Sequence, residues 1–330
     1  MTDFIPTFDP IAILGAGAWG TALALHLARH GQTVQLWAYE KEQVDEITIM
    51  HTNARYLPDQ LLPSSIACSQ HYQEVLSAVS DILIVVPSTA FRTTLLAIKP
   101  FLKPQHRLLW ATKGLDEKKH QLLHEVVNDI IGNIDSAVLS GPSFAKEVAM
   151  GLPTAVTIAA KNLDFGNDLV RRFQGKNFRV ALTTDVVGVE FGGAIKNVLA
   201  IAVGIVEGLG FGANAKAALM TQGLSEMIEL GLSLGAKSST FLGLSGLGDF
   251  ILTCTDNQSR NRRLGLALGK GQTLAQAKKT LGTTEGTVTA KNIFYLVEKY
   301  NVNAPVCEAV YRVLYEQQAP SMLFSAFFNP

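Results

Sequence analysis

The sequence predicts an α/β protein in which an N-terminal doubly wound sheet domain precedes an all-helical C-terminal domain. Three observations lead there. The 330 residues exceed the size at which one hydrophobic core usually stops growing. Short apolar runs of strand type alternate with helical patterns through the first half of the chain. That alternation stops near Asp185, and helical periodicity broken by glycine-rich turns follows, at 208–212, 243–248 and 282–286. The predicted domains are residues 1–187 and 188–330.

The first element is the apolar run Ile11–Leu14, followed by the turn Gly15-Ala16-Gly17-Ala18-Trp19-Gly20. Thr21–Arg29 reads as a helix, with Leu23, Leu27 and Ala24, Ala28 at helical spacing and Gly31 as a stop signal. Thr33–Trp37 is the next strand. Further strand runs are Ile82–Val86, Leu108–Ala111, Ala137–Leu139 and Ala155–Ile158. Strands separated by helices imply a parallel sheet covered on both faces.

A GxGxxG turn between a strand and a helix is the Rossmann-type dinucleotide signature, and here the context is complete. Gly15 makes the tight turn, Gly17 leaves room for a pyrophosphate, and Gly20 lets helix and strand pack closely. The helix N-terminus offers free N–H groups to phosphate. Glu40, 20 residues after Gly20, is placed either to accept hydrogen bonds from a ribose, which favours NAD over NADP, or to be a solvated loop carboxylate. Lys41 beside it weakens that preference.

Composition narrows the class. Hydrophobic residues are 48% and charged residues 17%, which suits a globular core. Lys plus Arg and Asp plus Glu are 28 each. Without a basic excess, nucleic acid and membrane surfaces are not the expected partners. Cys68, Cys254 and Cys307 show no metal or disulfide spacing, so reduced thiols in a cytoplasmic protein are expected. No metal-ligand cluster is visible. The start MTDFIPTFDP lacks the features of a signal peptide. The apolar stretch Val198–Val206 lies between Lys196 and Glu207 and is too short for a bilayer span.

Several polar residues stand in unusual surroundings. Lys113 follows a strand run, at the end of the sheet where doubly wound folds bind ligands. Lys196 sits among Phe191, Gly192, Gly193, Ala194, Ile195, Val198 and Leu199. A helix apolar on all sides is buried, and burial lowers a lysine pKa toward the range of proton transfer. Gly192 and Gly193 each cost the helix roughly 1 kcal/mol relative to Ala, so a close approach by backbone or cofactor is expected there. Glu190 is six residues from Lys196, which does not fit a helical pair. Asp249 reads either as a ligand that binds substrate hydroxyls or holds Lys196, or as the N-cap of a helix. Ser259, Arg260 and Asn261 offer a hydroxyl, a guanidinium and a carboxamide in succession, a suitable phosphate clamp, with Arg262 and Arg263 adding positive potential. Thr253–Gln258 before them reads as an ordered loop.

Six stretches in order carry a family resemblance: Gly15–Gly20, Trp110–Gly114, Leu139–Ala145, Gly188–Asn197, Gly246–Asp249 and Thr253–Asn261. With them the chain, from about Ile11 to Val313, resembles the bacterial-type NAD(P)-dependent glycerol-3-phosphate dehydrogenases. The resemblance implies reversible hydride transfer between NAD(P)(H) and the pair glycerol 3-phosphate and dihydroxyacetone phosphate, supplying phospholipid synthesis. It implies Lys196 as the residue that moves the proton. Lys113, Gly141, Ser143, Asp249, Ser259, Arg260 and Asn261 would accompany it at the substrate. Gly15, Gly17, Ala18, Trp19, Gly20, Glu40, Lys113, Ala145, Arg260, Thr283 and Glu285 would contact cofactor. Two departures stand out. Ala18 replaces a common Ser, and Tyr39-Glu40 falls where many relatives carry an Arg suited to a 2′-phosphate. The terminal phenylalanines of Ser325–Pro330 read as a packing anchor or as a subunit contact in a homodimer. The rival readings are a reductase of β-hydroxyacids, which needs no phosphate clamp, and a cofactor-sensing binding protein, which needs no Lys196.

Overall fold

A computed structural model of the chain describes residues 8–328. The start of the chain, residues 1–7, and the side chains of the terminal phenylalanines lie outside the described residues. The chain divides into two compact units. The first comprises residues 1–112, 126–139 and 143–184; the second comprises 113–125, 140–142 and 185–330.

In the first unit the strands are β1 (Ile11–Leu14), β2 (Val34–Trp37), β3 (Thr52–Asn53), β4 (Leu57–Leu61), β5 (Ile66–Ser69), β6 (Asp81–Ile84), β7 (Arg107–Trp110), β8 (Ser136–Ser140), β9 (Thr154–Ala160) and β10 (Phe178–Thr183). Eight form one sheet in the order β10-β9-β8-β7-β6-β1-β2-β5, and β3 pairs with β4 in a separate antiparallel ribbon. The registered pairs in the large sheet are parallel, with Leu14 opposite both Trp37 and Ile84. β1 and β6 at its centre are buried at every residue, as expected where helices cover both faces. One core gathers Ile11, Ile13, Leu36, Leu83 and Leu109 from the sheet with Leu23 and Leu27 of the first helix.

The first helix spans Ala18–Arg29 and begins inside the glycine turn, three residues earlier than its apolar spacing suggested. Gly31 beyond its end has φ +77°, the left-handed conformation that stops helices. The sequence reading found six of the ten strands. It missed β5 and β10, which sit at the two edges of the sheet and whose outer residues are partly exposed. It also missed the β3–β4 ribbon, where only Asn53 and Leu57 are buried.

The second unit is helical. Its centre is the 23-residue helix Val186–Gly208, in which nearly every residue is buried. Asp185 caps it, accepting from the Gly188 N–H at 3.0 Å. By length and composition this helix is long and apolar enough to cross a membrane, but its most apolar stretch is wholly buried inside the fold. The sequence reading cut the apolar stretch short at Lys196 because a charge usually ends one; here the charge is inside. Thr253–Thr255, expected in a loop, closes the helix Asp249–Thr255.

Candidate active site

The first unit carries the nucleotide signature. Gly15 has φ +121°, and a Cβ there would meet the Val85 carbonyl oxygen at 2.7 Å. A Cβ on Gly20 would lie 1.9 Å from the Gly15 carbonyl oxygen, so only glycine permits this strand–helix approach. Above Gly17 the space is open. The helix Ala18–Arg29 has no side-chain cap and no acid in its first turn. Its first N–H groups thus keep their bonding capacity for an anion. The indole Nε1 of Trp19 is buried with no partner among the described residues. An open glycine, an uncapped helix start and an unsatisfied donor together fit a dinucleotide.

Three side chains that sequence reasoning missed hold this turn. The Ala16 carbonyl accepts from Gln43 Nε2 at 2.6 Å, Asn53 Nδ2 at 2.9 Å and Thr21 Oγ1 at 3.4 Å. Asn53 is fully buried and also donates to Thr21 Oγ1 at 2.8 Å. The one available signal was polar residues in a short segment soon after β2. Glu40 directly precedes the helix Lys41–Asp45 and accepts from Arg55 Nη1 at 2.7 Å, an exposed ion pair. Ser143 is half-buried and Ala145 opens the short helix Ala145–Ala149.

The second unit gathers the candidate acid–base residues. Lys196, 6% exposed, donates from Nζ to Asp249 Oδ1 at 2.5 Å and to Thr253 Oγ1 at 2.8 Å. Lys113 donates to the other oxygen, Asp249 Oδ2, at 2.5 Å, and to the Gly141 carbonyl at 3.3 Å. One carboxylate thus bridges two ammonium groups. Burial, together with the Lys113 charge, pushes Lys196 down to about 8 against the pull of Asp249. Burial alone would raise the Asp249 carboxyl, but Lys113 and Lys196 outweigh it and hold it below the usual range. The residue preceding the helix is Gly248, which provides no side-chain cap, so the N-cap reading of Asp249 falls and the reading in which it holds Lys196 stands. Glu190 bonds His124.

The close approach of backbone expected at Gly192 is present, whereas Gly193 is approached by a side chain instead. A Cβ would lie 2.9 Å from the Ser245 carbonyl oxygen in one case and 2.8 Å from Ser140 Oγ in the other. Ser140 was not singled out from sequence. It is buried, its hydroxyl has no partner among the described residues, and it faces Gly193, which stands one helical turn before Lys196.

The three residues read as a phosphate clamp stand together at one helix start. They start the helix Arg260–Gly269, where successive side chains diverge by about 100°. Ser259 caps it, accepting from the Arg262 N–H at 3.2 Å. Arg260 is exposed. Asn261 points inward, donating to Asn197 Oδ1 at 2.9 Å and accepting from the Gly286 N–H at 3.0 Å. Asn197 in turn donates to Glu285 at 3.2 Å. Burial raises the Glu285 carboxyl despite the opposing charges of Lys113, Lys196 and Arg260. Arg262, expected to add positive potential, is buried against Glu207, at 2.6 Å, and Asn257, at 2.7 Å, and so is neutralised. Thr283 is exposed just before the helix Glu285–Tyr300.

Residues 10–166 match the family model described as the NAD-dependent glycerol-3-phosphate dehydrogenase N-terminus, and residues 185–325 match its C-terminus. The chain belongs to the NAD-dependent glycerol-3-phosphate dehydrogenase family. Among members of that family, the glycerol-3-phosphate dehydrogenase [NAD(P)+] of Tolumonas auensis is 48% identical over 93% of this chain and 92% of its own. That of Thioalkalivibrio sulfidiphilus is 50% identical over the same shares. The crystal structure of the glycerol-3-phosphate dehydrogenase of Coxiella burnetii is similar with TM-score 0.95 at 47% identity, covering 98% of this chain and all of the other.

Proposed function

We propose that this chain is a cytoplasmic NAD(P)-dependent sn-glycerol-3-phosphate dehydrogenase that supplies glycerol 3-phosphate for phospholipid synthesis. The observation that carries the chemistry is the buried Lys196–Asp249–Lys113 bridge, with Lys196 lowered to about 8. A nicotinamide, when bound, gives or takes the hydride at C2 of the substrate. In the reducing direction Lys196 donates its proton from Nζ to the C2 oxygen as that oxygen gains charge, leaving a neutral amine; in the oxidising direction the amine removes the hydroxyl proton. A lysine titrating near 8 serves both directions near neutral pH. Asp249 keeps Nζ in place. Lys113 brings a second positive charge to the oxygen.

Gly141 and Ser143 border the substrate in this reading. Ser259, Arg260 and Asn261 hold the phosphate at the helix start they share. Gly15, Gly17, Ala18, Trp19 and Gly20 form the nucleotide cradle, with Glu40 at the adenosine ribose favouring NAD. Ala145, Thr283 and Glu285 complete the cofactor contacts. The nucleotide domain corresponds to residues 1–187 and the substrate domain to 188–330. No step requires a metal. The test is the rate of NADH and NADPH oxidation with dihydroxyacetone phosphate against a panel of 2- and 3-oxo acids. Preference for an oxo acid would overturn the reading.

A further inference from the structure

We infer that Arg55 makes a binding site for the 2′-phosphate of NADP beside Glu40, so that this loop accepts both dinucleotides. The inference rests on the nucleotide reading of the glycine turn and adds a residue that the six motifs do not contain.

Arg55 lies in the turn between β3 and β4, and the chain just before it is held twice. Asn53 is buried and bonded to the Ala16 carbonyl and to Thr21, so the ribbon is tied directly to the glycine turn. Glu46 Oε1 accepts from the Ala54 N–H at 2.7 Å and from Thr52 Oγ1 at 2.8 Å. After Arg55, the Tyr56 N–H closes the turn on the Asn53 carbonyl at 3.0 Å. The Arg55 backbone is thus set relative to the nucleotide cradle, while its side chain lies in solvent.

The side chain is where a 2′-phosphate needs it. Glu40 follows β2, at the position where an acid meets the ribose hydroxyls and ordinarily repels a 2′-phosphate. Arg55 Nη1 lies 2.7 Å from Glu40 Oε2, and its guanidinium carbon lies 5.4 Å from the centre of the Tyr56 ring. Both partners are solvent-exposed, and exposed pairs of this kind hold weakly. A phosphate dianion beside Glu40 competes for the same guanidinium with higher charge and matching two-point geometry. With NAD bound, Arg55 stays on Glu40 and the acid is held for the ribose. With NADP bound, Arg55 turns to the phosphate. Lys41 adds a second cation next to Glu40 in sequence.

The experiment measures binding of adenosine 2′,5′-bisphosphate and of 5′-AMP to the protein without substrate, by calorimetry, so that it does not depend on turnover. Arg55→Ala is expected to lower the affinity for the bisphosphate relative to 5′-AMP by about tenfold or more, the scale of one charge-assisted hydrogen bond. Arg55→Lys should recover part of that ratio, since the charge remains but the two-point contact does not. Glu40→Gln should move the ratio the opposite way. An unchanged ratio in Arg55→Ala, with melting temperature and 5′-AMP binding intact, overturns the inference but leaves the nucleotide reading in place. Binding of neither nucleotide by the wild-type protein overturns both.

Discussion

Lys196 and Asp249 are joined Nζ to Oδ1 at 2.5 Å inside the second unit, and the second carboxylate oxygen is taken by Lys113 at the same distance. Two cations share one anion in a nearly water-free place. The group is therefore one proton away from neutrality, and Lys196 is the more deeply buried of the two lysines. In the proposed reaction it is the member that gives the proton up.

Replacing Lys196 by Ala removes the proposed proton carrier. Turnover should fall by at least about a hundredfold, within the range of lost acid–base catalysis, while titration with NADH shows nucleotide binding retained. Steady-state rates near wild type would remove Lys196 from the mechanism.

The pH dependence follows from the direction of the Lys196 shift. Reduction of dihydroxyacetone phosphate needs the ammonium, so its kcat should decline as pH rises through about 8, and oxidation of glycerol 3-phosphate should gain over the same interval. Stability has its own sign. Between about 8 and the ordinary lysine value of 10.5 the unfolded chain holds this proton and the folded chain does not. The contribution of Lys196 to stability therefore increases with pH across that window. Denaturant titrations at pH 8 and 10 read it.

Asp249→Asn leaves two close cations without their counter-charge. Breaking a buried pair by removing one partner costs about 3–5 kcal/mol, to be read as a lower urea midpoint. Losing the carboxylate also lowers Lys196 further, so the falling limb of the reduction profile should move to more acidic pH. A profile that stays in place would mean that Asp249 does not set the lysine.

Arg260→Ala should act on the phosphate. The preference in kcat/KM for dihydroxyacetone phosphate over unphosphorylated dihydroxyacetone should shrink by about tenfold or more. An equal loss for both substrates would point to a structural role at the helix start.

Asn53→Ala removes two buried hydrogen bonds and leaves acceptors behind. A cost of about 1–3 kcal/mol is expected, together with a weaker affinity for NADH as the glycine turn loosens. Calorimetric titration of NADH separates that loosening from simple destabilisation.

Much of this was legible from the residues alone. The strands at the sheet's centre announce themselves because both faces are buried and every residue is apolar, as in Ile82–Ile84. Edge strands such as β5 and β10 carry exposed residues and lose that signal. Lys196 was found because a charge amid apolar neighbours is unusual, and the structure buries it. Ser259–Asn261 stand at a helix start, with Ser259 as the cap and Asn261 turned inward, an arrangement that no local pattern announced. Asn53, Gln43 and Arg55 were missed for a different reason. Gln43 reaches the glycine turn from the helix Lys41–Asp45, and Asn53 and Arg55 reach that turn and Glu40 from the β3–β4 ribbon, 15 to 37 residues away in sequence, and no local pattern encodes such a reach.

The helix Val186–Gly208 also has a consequence before folding is complete. The helices that wrap it come later in the chain, as far as Pro305–Tyr315. During synthesis it leaves the ribosome with roughly a hundred residues of its covering still to be made, an interval on the order of ten seconds. In that interval the segment stands without the neighbours that bury it. Glu190 and Lys196 lie within it, and each charge makes transfer into lipid less favourable. The buried amine thus also marks this helix off from an uninterrupted apolar span.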